Sequence, residues 1–187
     1  MHKLLISLGC NQTSPWGDAT STISTAIERI AKAFGAEPSV SQFFQSPAFP
    51  AGSGPDYVNA ALAIYSSEDP MEVLSKLHAI ERDAARHRQM RWGPRTLDLD
   101  LIAYADRVLP DIGTWSDWHD LPLERQMTEA PDQLILPHPR MQDRAFVLLP
   151  LSQVAADWRH PVLNETVEQL LAAFPAAEIA ALKPLPG

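Results

Sequence analysis

Apolar residues recur along this chain in two rhythms, one suited to strands and one to helices. "KLLISLG" (Lys3–Gly9) is a short unbroken apolar run closed by glycine, the pattern of a strand buried on both faces. "SVSQFF" (Ser39–Phe44), "YVNAALAIY" (Tyr57–Tyr65) and "TLDLDLIAY" (Thr96–Tyr104) predict three further strands. Between the first two, Ile23, Ala26, Ile27, Ile30 and Phe34 fall on one helical face. That spacing predicts a helix over 18–34, with Asp18 or Thr20 as N-cap and Gly35 at its stop. Met71, Val73, Leu74, Leu77 and Ile80 predict a second helix over 70–86, with Pro70 in its first turn. Residues 146–155 and 164–174 are predicted helical as well.

The order β-α-β-β-α-β predicts an α+β protein of the ferredoxin-like type. Its antiparallel sheet would carry helices packed on one face, with the C-terminal helices added. No repeat or linker breaks the chain, so 1–187 is expected to be a single domain. The stretch 105–133 carries no clear period; it is acidic and holds Trp115 and Trp118. A connection of that length in a compact domain is commonly a lid, a binding loop or a disordered insert. The expectation here is a surface flap pinned by the two indoles.

Composition narrows the function classes. A chain of 187 residues with 45% hydrophobic and 20% charged residues is an ordinary globular protein with room for a core. No apolar run approaches the roughly 18 residues that span a bilayer. "MHKLLISLGCN" turns polar too soon for a secretory signal. One cysteine, Cys10, excludes an internal disulfide framework and suits the cytoplasm. A net charge of −8 argues against broad affinity for nucleic acid or an anionic membrane. Yet Glu81 to Arg95 holds five arginines against two acids, while Asp106 to Asp132 holds seven acids against two arginines. A basic segment on an acidic protein suits a small polyanion.

The strand at 96–104 carries the sharpest chemical signal. Asp98 and Asp100 share one face of it while Leu97, Leu99 and Leu101 share the other. With Cα atoms roughly 6.5 Å apart, two such charges repel by about 2.5 kcal/mol at an effective dielectric near 20. Something positive belongs between them. Salt bridges to neighbouring arginines are one answer. A divalent cation such as Mg²⁺, which shares its coordination shell with water and phosphate oxygens, is the other. Arg86, Arg88, Arg91 and Arg95 give four planar donor forks beside two acids, an excess that favours a nucleotide polyphosphate bridging both. "LPHPRMQDRAF" (Leu136–Phe146) adds His138, Arg140, Arg144 and an aromatic as a second wall. No G-x-x-x-x-G-K-[ST] run is present, so phosphates would be held by metal and side chains.

These segments resemble the 6-hydroxymethyl-7,8-dihydropterin pyrophosphokinase family. "SLGCN", "SPAF...PDYVNAAL", "ARHRQMRWGPRTLDLDLI" and "LPHPRMQDRAFVLLPL" occur in the family's order over nearly the whole chain. The resemblance implies a ferredoxin-like fold and transfer of pyrophosphate from ATP to the pterin hydroxymethyl group, releasing AMP. It implies that Asp98 and Asp100 hold two Mg²⁺ ions and, with Arg86 and Arg95, form the catalytic set. Glu81, Arg88, Trp92, Leu101, His138 and Arg144 match nucleotide-site positions. Tyr57 and Phe146 match the aromatics that sandwich the pterin, Asn59 its polar anchor, and Ser46, Pro47 and Phe49 the rim. Asn59 lies two residues from Tyr57, on the same strand face, and its amide carries both donor and acceptor. ATP and the hydroxymethyl pterin are the implied partners, with no nucleic acid or membrane, and a monomer is expected.

Departures and rivals sharpen that expectation. Ala85 stands where the family commonly has Gly, Cys10 where it usually has Ser, and 105–133 is longer than the connection in many members. A nucleic-acid-binding module would carry a K/R-G-F/Y-G/A-F-V-x-F/Y strand motif, which is missing. A non-catalytic nucleotide- or pterin-binding paralogue, or a phosphoester hydrolase, would differ in its products.

Overall fold

A computed structural model describes residues 1–48, 54–84, 96–126 and 128–186. In chain order its elements begin with β1 (His2–Cys10), α1 (Ala19–Phe34), β2 (Ser39–Val40), β3 (Phe44–Ser46), β4 (Tyr57–Ser66), α2 (Pro70–Ala84) and β5 (Asp98–Tyr104). There follow α3 (Ile112–His119), α4 (Leu123–Gln126), a 3₁₀ turn at Met141–Asp143, α5 (Ala145–Ala155), α6 (Val167–Ala172), α7 (Ala176–Ala180) and β6 (Lys183–Pro184). The strands form one sheet in the order β5-β1-β4-β3-β6, with β2 also pairing β4, and every pairing is antiparallel. Taking β2 and β3 as one interrupted strand, this is the ferredoxin-like order expected from the sequence.

The predicted strand Ser39–Phe44 is broken in the middle for a visible reason. Ser41 Oγ accepts from the Ala61 amide at 2.9 Å and donates to the Gln42 carbonyl at 2.7 Å, so a hydroxyl stands in for a ladder carbonyl. Helix α1 starts and stops where its signals lie. Asp18 accepts from the Ser21 amide at 2.8 Å, and Gly35 closes the helix at φ 60°. The short C-terminal strand β6 on β3 had no sequence signal.

Strand β1 lies between β4 and β5 and is sandwiched by two apolar layers, which is why it reads as a continuous hydrophobic run. Leu4, Ile6 and Leu8 pack with Ile23, Ala26 and Ile30 of α1 and with Val73, Leu77 and Ile80 of α2. On the other face Leu5, Ala61 and Ala63 pack with Val147, Leu148 and Leu151 of α5. The two helices of the ferredoxin-like core thus share one face as expected, and the C-terminal helices cover the opposite one. A register shift where β5 pairs with Leu5 and Ile6 leaves Ile102 as an extra residue, so Ile102 and Ala103 both enter the second layer.

The stretch 105–133 departs from the expected surface flap. It contains α3 and α4, and its ends are zipped by backbone hydrogen bonds between Leu109 and Leu136 at 2.8 and 3.1 Å. Asp111 caps α3 by accepting from the Thr114 amide at 2.9 Å. Trp115 is 1% exposed, donates from Nε1 to the Pro137 carbonyl at 2.7 Å, and stacks on His119 at 4.8 Å between ring centres. Only Trp115 is a core anchor; Trp118 remains half-buried. The amphipathic pattern of an eight-residue helix is too short to stand out from the loop around it.

Trp115 also meets His160, 5.1 Å away between ring centres, at the junction with the C-terminal segment. His160 is fully buried, and its Nδ1 accepts from the Val162 amide at 3.2 Å and the Leu163 amide at 3.1 Å. Burial first, and nearby His119 second, push its pKa down to about 4. The unfolded value is about 6.5, so between these values the unfolded chain takes up a proton that the folded chain refuses. Stability therefore falls as pH drops through that window and is insensitive to this group above it. Asparagine at this position keeps an acceptor for both amides and cannot titrate. His160→Asn should flatten the pH slope of unfolding free energy by up to about 1.4 kcal/mol per pH unit between roughly pH 6.5 and 4. Denaturant unfolding at a series of pH values reads that slope, and an unchanged slope would reject the assignment.

Candidate active site

Strand β5 divides its side chains as its alternation requires. Leu97, Leu99 and Leu101 enter the first-layer core, so Asp98 and Asp100 project from the second-layer face, each half-buried. Register then places their neighbours. Gly9 of β1 pairs with Asp98 on one side and Asn59 of β4 on the other; Ser7 likewise pairs with Asp100 and Ala61. Directly paired residues point the same way. The two carboxylates and Asn59 therefore share one face, about 10 Å apart across two strand spacings, over a floor of Ser7, Gly9 and Ala61.

That floor is low because Gly9 has no side chain. A Cβ there would sit 3.8 Å from Asn59 Oδ1, and anything larger would rise between the amide and the carboxylates. Gly9→Val is expected to keep the fold, because a β-branched residue suits a strand. Turnover should fall on the order of a hundredfold through misplacement of whatever bridges the two ends. A melting curve and kcat together check this; an undiminished kcat in the folded variant would show that nothing passes over Gly9.

Asn59 is already partly committed. Its Nδ2 donates to Ser46 Oγ at 2.8 Å and approaches the Phe44 carbonyl at 3.4 Å. A carbonyl can only accept, so the amide orientation is fixed and Oδ1 faces Gly9. The sequence left both donor and acceptor open for a ligand; the fold leaves the acceptor. Tyr57 lies two residues away on the same face, half-buried, while Pro47 is exposed at the rim. Phe146, 39% exposed, stands in the first turn of α5, the helix that packs on this face.

The segment after the insert builds the facing wall. The His138 amide donates to the Ile102 carbonyl at 2.8 Å, docking this wall on the free edge of β5. The Arg140 amide donates to His138 Nδ1 at 3.1 Å, which places the ring proton of a neutral imidazole on Nε2. Burial foremost, then the charges of Arg144 and Arg140, push the His138 pKa down to about 3. At neutral pH the ring is therefore an uncharged hydrogen-bond donor. Arg144 reaches across, its Nη1 3.8 Å from Asp100 Oδ2. Burial and the repulsion of Arg144 lower the pKa of Arg140, whose Nε has no hydrogen-bond partner among the described residues. Two guanidinium groups crowded at a cleft wall favour an anion between them.

Glu81 of α2 closes the near side, its Oε1 accepting from the Leu99 amide at 2.8 Å. That bond shows the outward edge of β5, and the two-residue period puts the Leu101 backbone on the same edge. The Leu101 side chain itself is buried in the core at 4% exposure, so only its backbone can meet a ligand. A cavity of about 850 Å³ gathers Glu81, Asp98, Asp100, Leu101, His138 and Arg144. Ser46, Pro47, Tyr57, Asn59 and Phe146 do not line it; Ser46, Tyr57 and Asn59 lie on β3 and β4, beyond Gly9, and Pro47 directly follows β3. Phe49, Arg86, Arg88, Arg91, Trp92 and Arg95, along with Ala85, lie outside the described residues. Sequence reasoning missed the floor formed by Ser7 and Gly9, although a glycine closing an apolar run inside "SLGCN" was a usable signal.

Among the described residues no three His, Cys, Asp or Glu side chains are gathered as a protein-only metal cage. Two half-buried carboxylates on one pleat instead suit a hard cation that completes its shell with water and phosphate, as Mg²⁺ does. They lack the nitrogen and sulfur donors of a structural zinc centre.

The family model described as 7,8-dihydro-6-hydroxymethylpterin-pyrophosphokinase (HPPK) matches residues 5–156. A 2-amino-4-hydroxy-6-hydroxymethyldihydropteridine pyrophosphokinase of Synechocystis sp. is 37% identical over 171 residues, covering 91% of this chain and 75% of the relative. The enzyme of the same name from Pseudomonas aeruginosa is 33% identical over 175 residues, covering 94% and 93%. Among solved structures, Plasmodium falciparum HPPK-DHPS with pteroate superposes with a TM-score of 0.67 at 13% identity over 98% of this chain. The chain spans 45% of that longer protein, so this likeness bears on fold alone.

Proposed function

The chain belongs to the 7,8-dihydro-6-hydroxymethylpterin-pyrophosphokinase family, and from that premise we propose that it transfers pyrophosphate from ATP to the hydroxymethyl group of 6-hydroxymethyl-7,8-dihydropterin, releasing AMP. The observation that carries this reading is the single sheet face on which Asp98, Gly9 and Asn59 stand in register. It joins a polyanion site to a heterocycle site with no side chain between. In this reading Asn59 Oδ1 accepts from a ring N–H of the pterin, and Tyr57 and Phe146 offer aromatic faces to the ring. The hydroxymethyl group then extends over Gly9 toward the carboxylates.

At the other end the triphosphate lies between β5 and the 138–144 wall. Arg144 and Arg140 offset charge on the transferring group, and neutral His138 donates from Nε2 to a phosphate oxygen. The nucleotide base lies along the β5 edge, within reach of the Leu101 backbone. Asp98 and Asp100 are the residues that would hold Mg²⁺. When bound, the metal would neutralise phosphate charge, orient the polyphosphate and make the attacking hydroxyl more acidic. Positioning and electrostatics carry the reaction, and no covalent enzyme intermediate is needed. Arg86, Arg88, Trp92 and Arg95 belong to the same proposal by their match to the family motif.

Among the described residues no helix is long and apolar enough to cross a membrane. The proposal extends to a single-domain cytoplasmic monomer acting on two small molecules. The test is product analysis with the purified chain, ATP and Mg²⁺. AMP should accumulate only when the hydroxymethyl pterin is present, in equal amount to the pyrophosphorylated pterin. Inorganic phosphate or pyrophosphate as the product would identify a hydrolase instead.

A further inference from the structure

The walls of the 850 Å³ cavity differ in chemistry. Asp98, Asp100, His138 and Arg144 form the charged part already described. Leu74 of α2, Trp118 and Pro131 of the 105–133 insert, and Leu134 just after it form an apolar and aromatic part. The insert is held firmly enough to be a wall: its ends are bridged at Leu109 and Leu136, and Trp115 is buried and bonded to the Pro137 carbonyl. Trp118 lies three residues from Trp115 on α3, so the two indoles are neighbours on the helix surface.

The two rings are used differently. Trp115 stacks on His119, and Trp16 and Trp158 also meet a ring or a guanidinium group. Trp118 is half-buried, lines the cavity and takes part in no ring stack or cation–π pair among the described residues. A half-buried indole without a ring partner on the lining of a cavity whose charged part is read as a polyphosphate site suits stacking on a planar base.

Resting on the pyrophosphokinase reading, we infer that Trp118 is a base-contacting residue of the nucleotide site, and that the insert supplies the wall against which the ATP base lies. The charged part of the cleft holds the phosphates, and α3, anchored by Trp115, holds Trp118 at the base. The insert therefore contributes to nucleotide affinity and leaves the pterin site untouched.

The experiment uses the full chain and three probes: α,β-methylene-ATP, inorganic tripolyphosphate and the hydroxymethyl pterin. Calorimetry gives the first two affinities, and steady-state kinetics gives the KM for pterin. Trp118→Ala should weaken the ATP analogue roughly tenfold, the typical scale of losing one base stack. Tripolyphosphate, which has no base, should bind as before, and the KM for pterin should be unchanged. Trp118→Phe should restore analogue affinity to within about threefold. An unchanged analogue affinity in Trp118→Ala, or an equal loss for tripolyphosphate, would overturn the inference while leaving the activity intact. A wild-type chain that binds no analogue and forms no AMP would overturn the pyrophosphokinase reading, and this inference with it.

Discussion

Asp98→Asn and Asp100→Asn are each expected to lower kcat by at least about a hundredfold while the protein stays folded. The substitution keeps shape and removes one negative charge from a pair that repels by about 2.5 kcal/mol at an effective dielectric near 20. Loss of that repulsion offsets loss of contacts such as the 3.8 Å approach of Arg144 to Asp100, which is a third exposed and worth little by itself. Melting temperatures should therefore hold steady or rise. Affinity for the pterin should be nearly unaffected, because Asn59 lies two strands away. Omitting Mg²⁺ should reproduce the loss in the wild type. Wild-type turnover in EDTA, or in either variant, would show that the carboxylates serve only arginines.

Trp115→Ala is expected to cost about 3–5 kcal/mol of stability, the usual range for truncating a fully buried large aromatic. For a chain of this length that corresponds to a fall in Tm of roughly 10 °C. Three contacts go together: the packing against His160, the stack on His119, and the hydrogen bond to the Pro137 carbonyl. The last of these leads directly to the His138 wall. Well below the melting temperature, kcat/KM for ATP should therefore fall more than that for the pterin. Thermal unfolding and the two kinetic constants measure this. An unchanged Tm would show that the insert is detachable from the core.

Much of the core was legible in the chain because it is periodic. Lys3–Gly9 reads as a strand since both layers cover it, and 18–34 reads as a helix since Ile23, Ala26 and Ile30 face one layer. Local caps at Asp18 and Gly35 marked the ends of α1. The insert was illegible for the opposite reason. Its longest helix has eight residues and a single buried side chain, Trp115, whose partners lie at His119, Pro137 and His160. One buried residue has no period. The break between β2 and β3 was likewise hidden, since it depends on a hydroxyl at Ser41 meeting the amide of Ala61 across the sheet.

The site divides along the same line. Alternation in "TLDLDLIAY" was enough to place Asp98 and Asp100 on one face, because side-chain direction in a strand is a local property. Which residues stand beside them was decided by register, a relation between segments far apart in the chain. Pairing to β1 and β4 put Gly9 and Asn59 in the carboxylates' row. Docking of the His138 amide on the β5 edge anchors the wall in which burial, with the charges of Arg144 and Arg140, holds the imidazole neutral and from which Arg144 reaches Asp100. Residue type and spacing thus determined what chemistry is available, while long-range pairing and burial decided where it converges and in which protonation state.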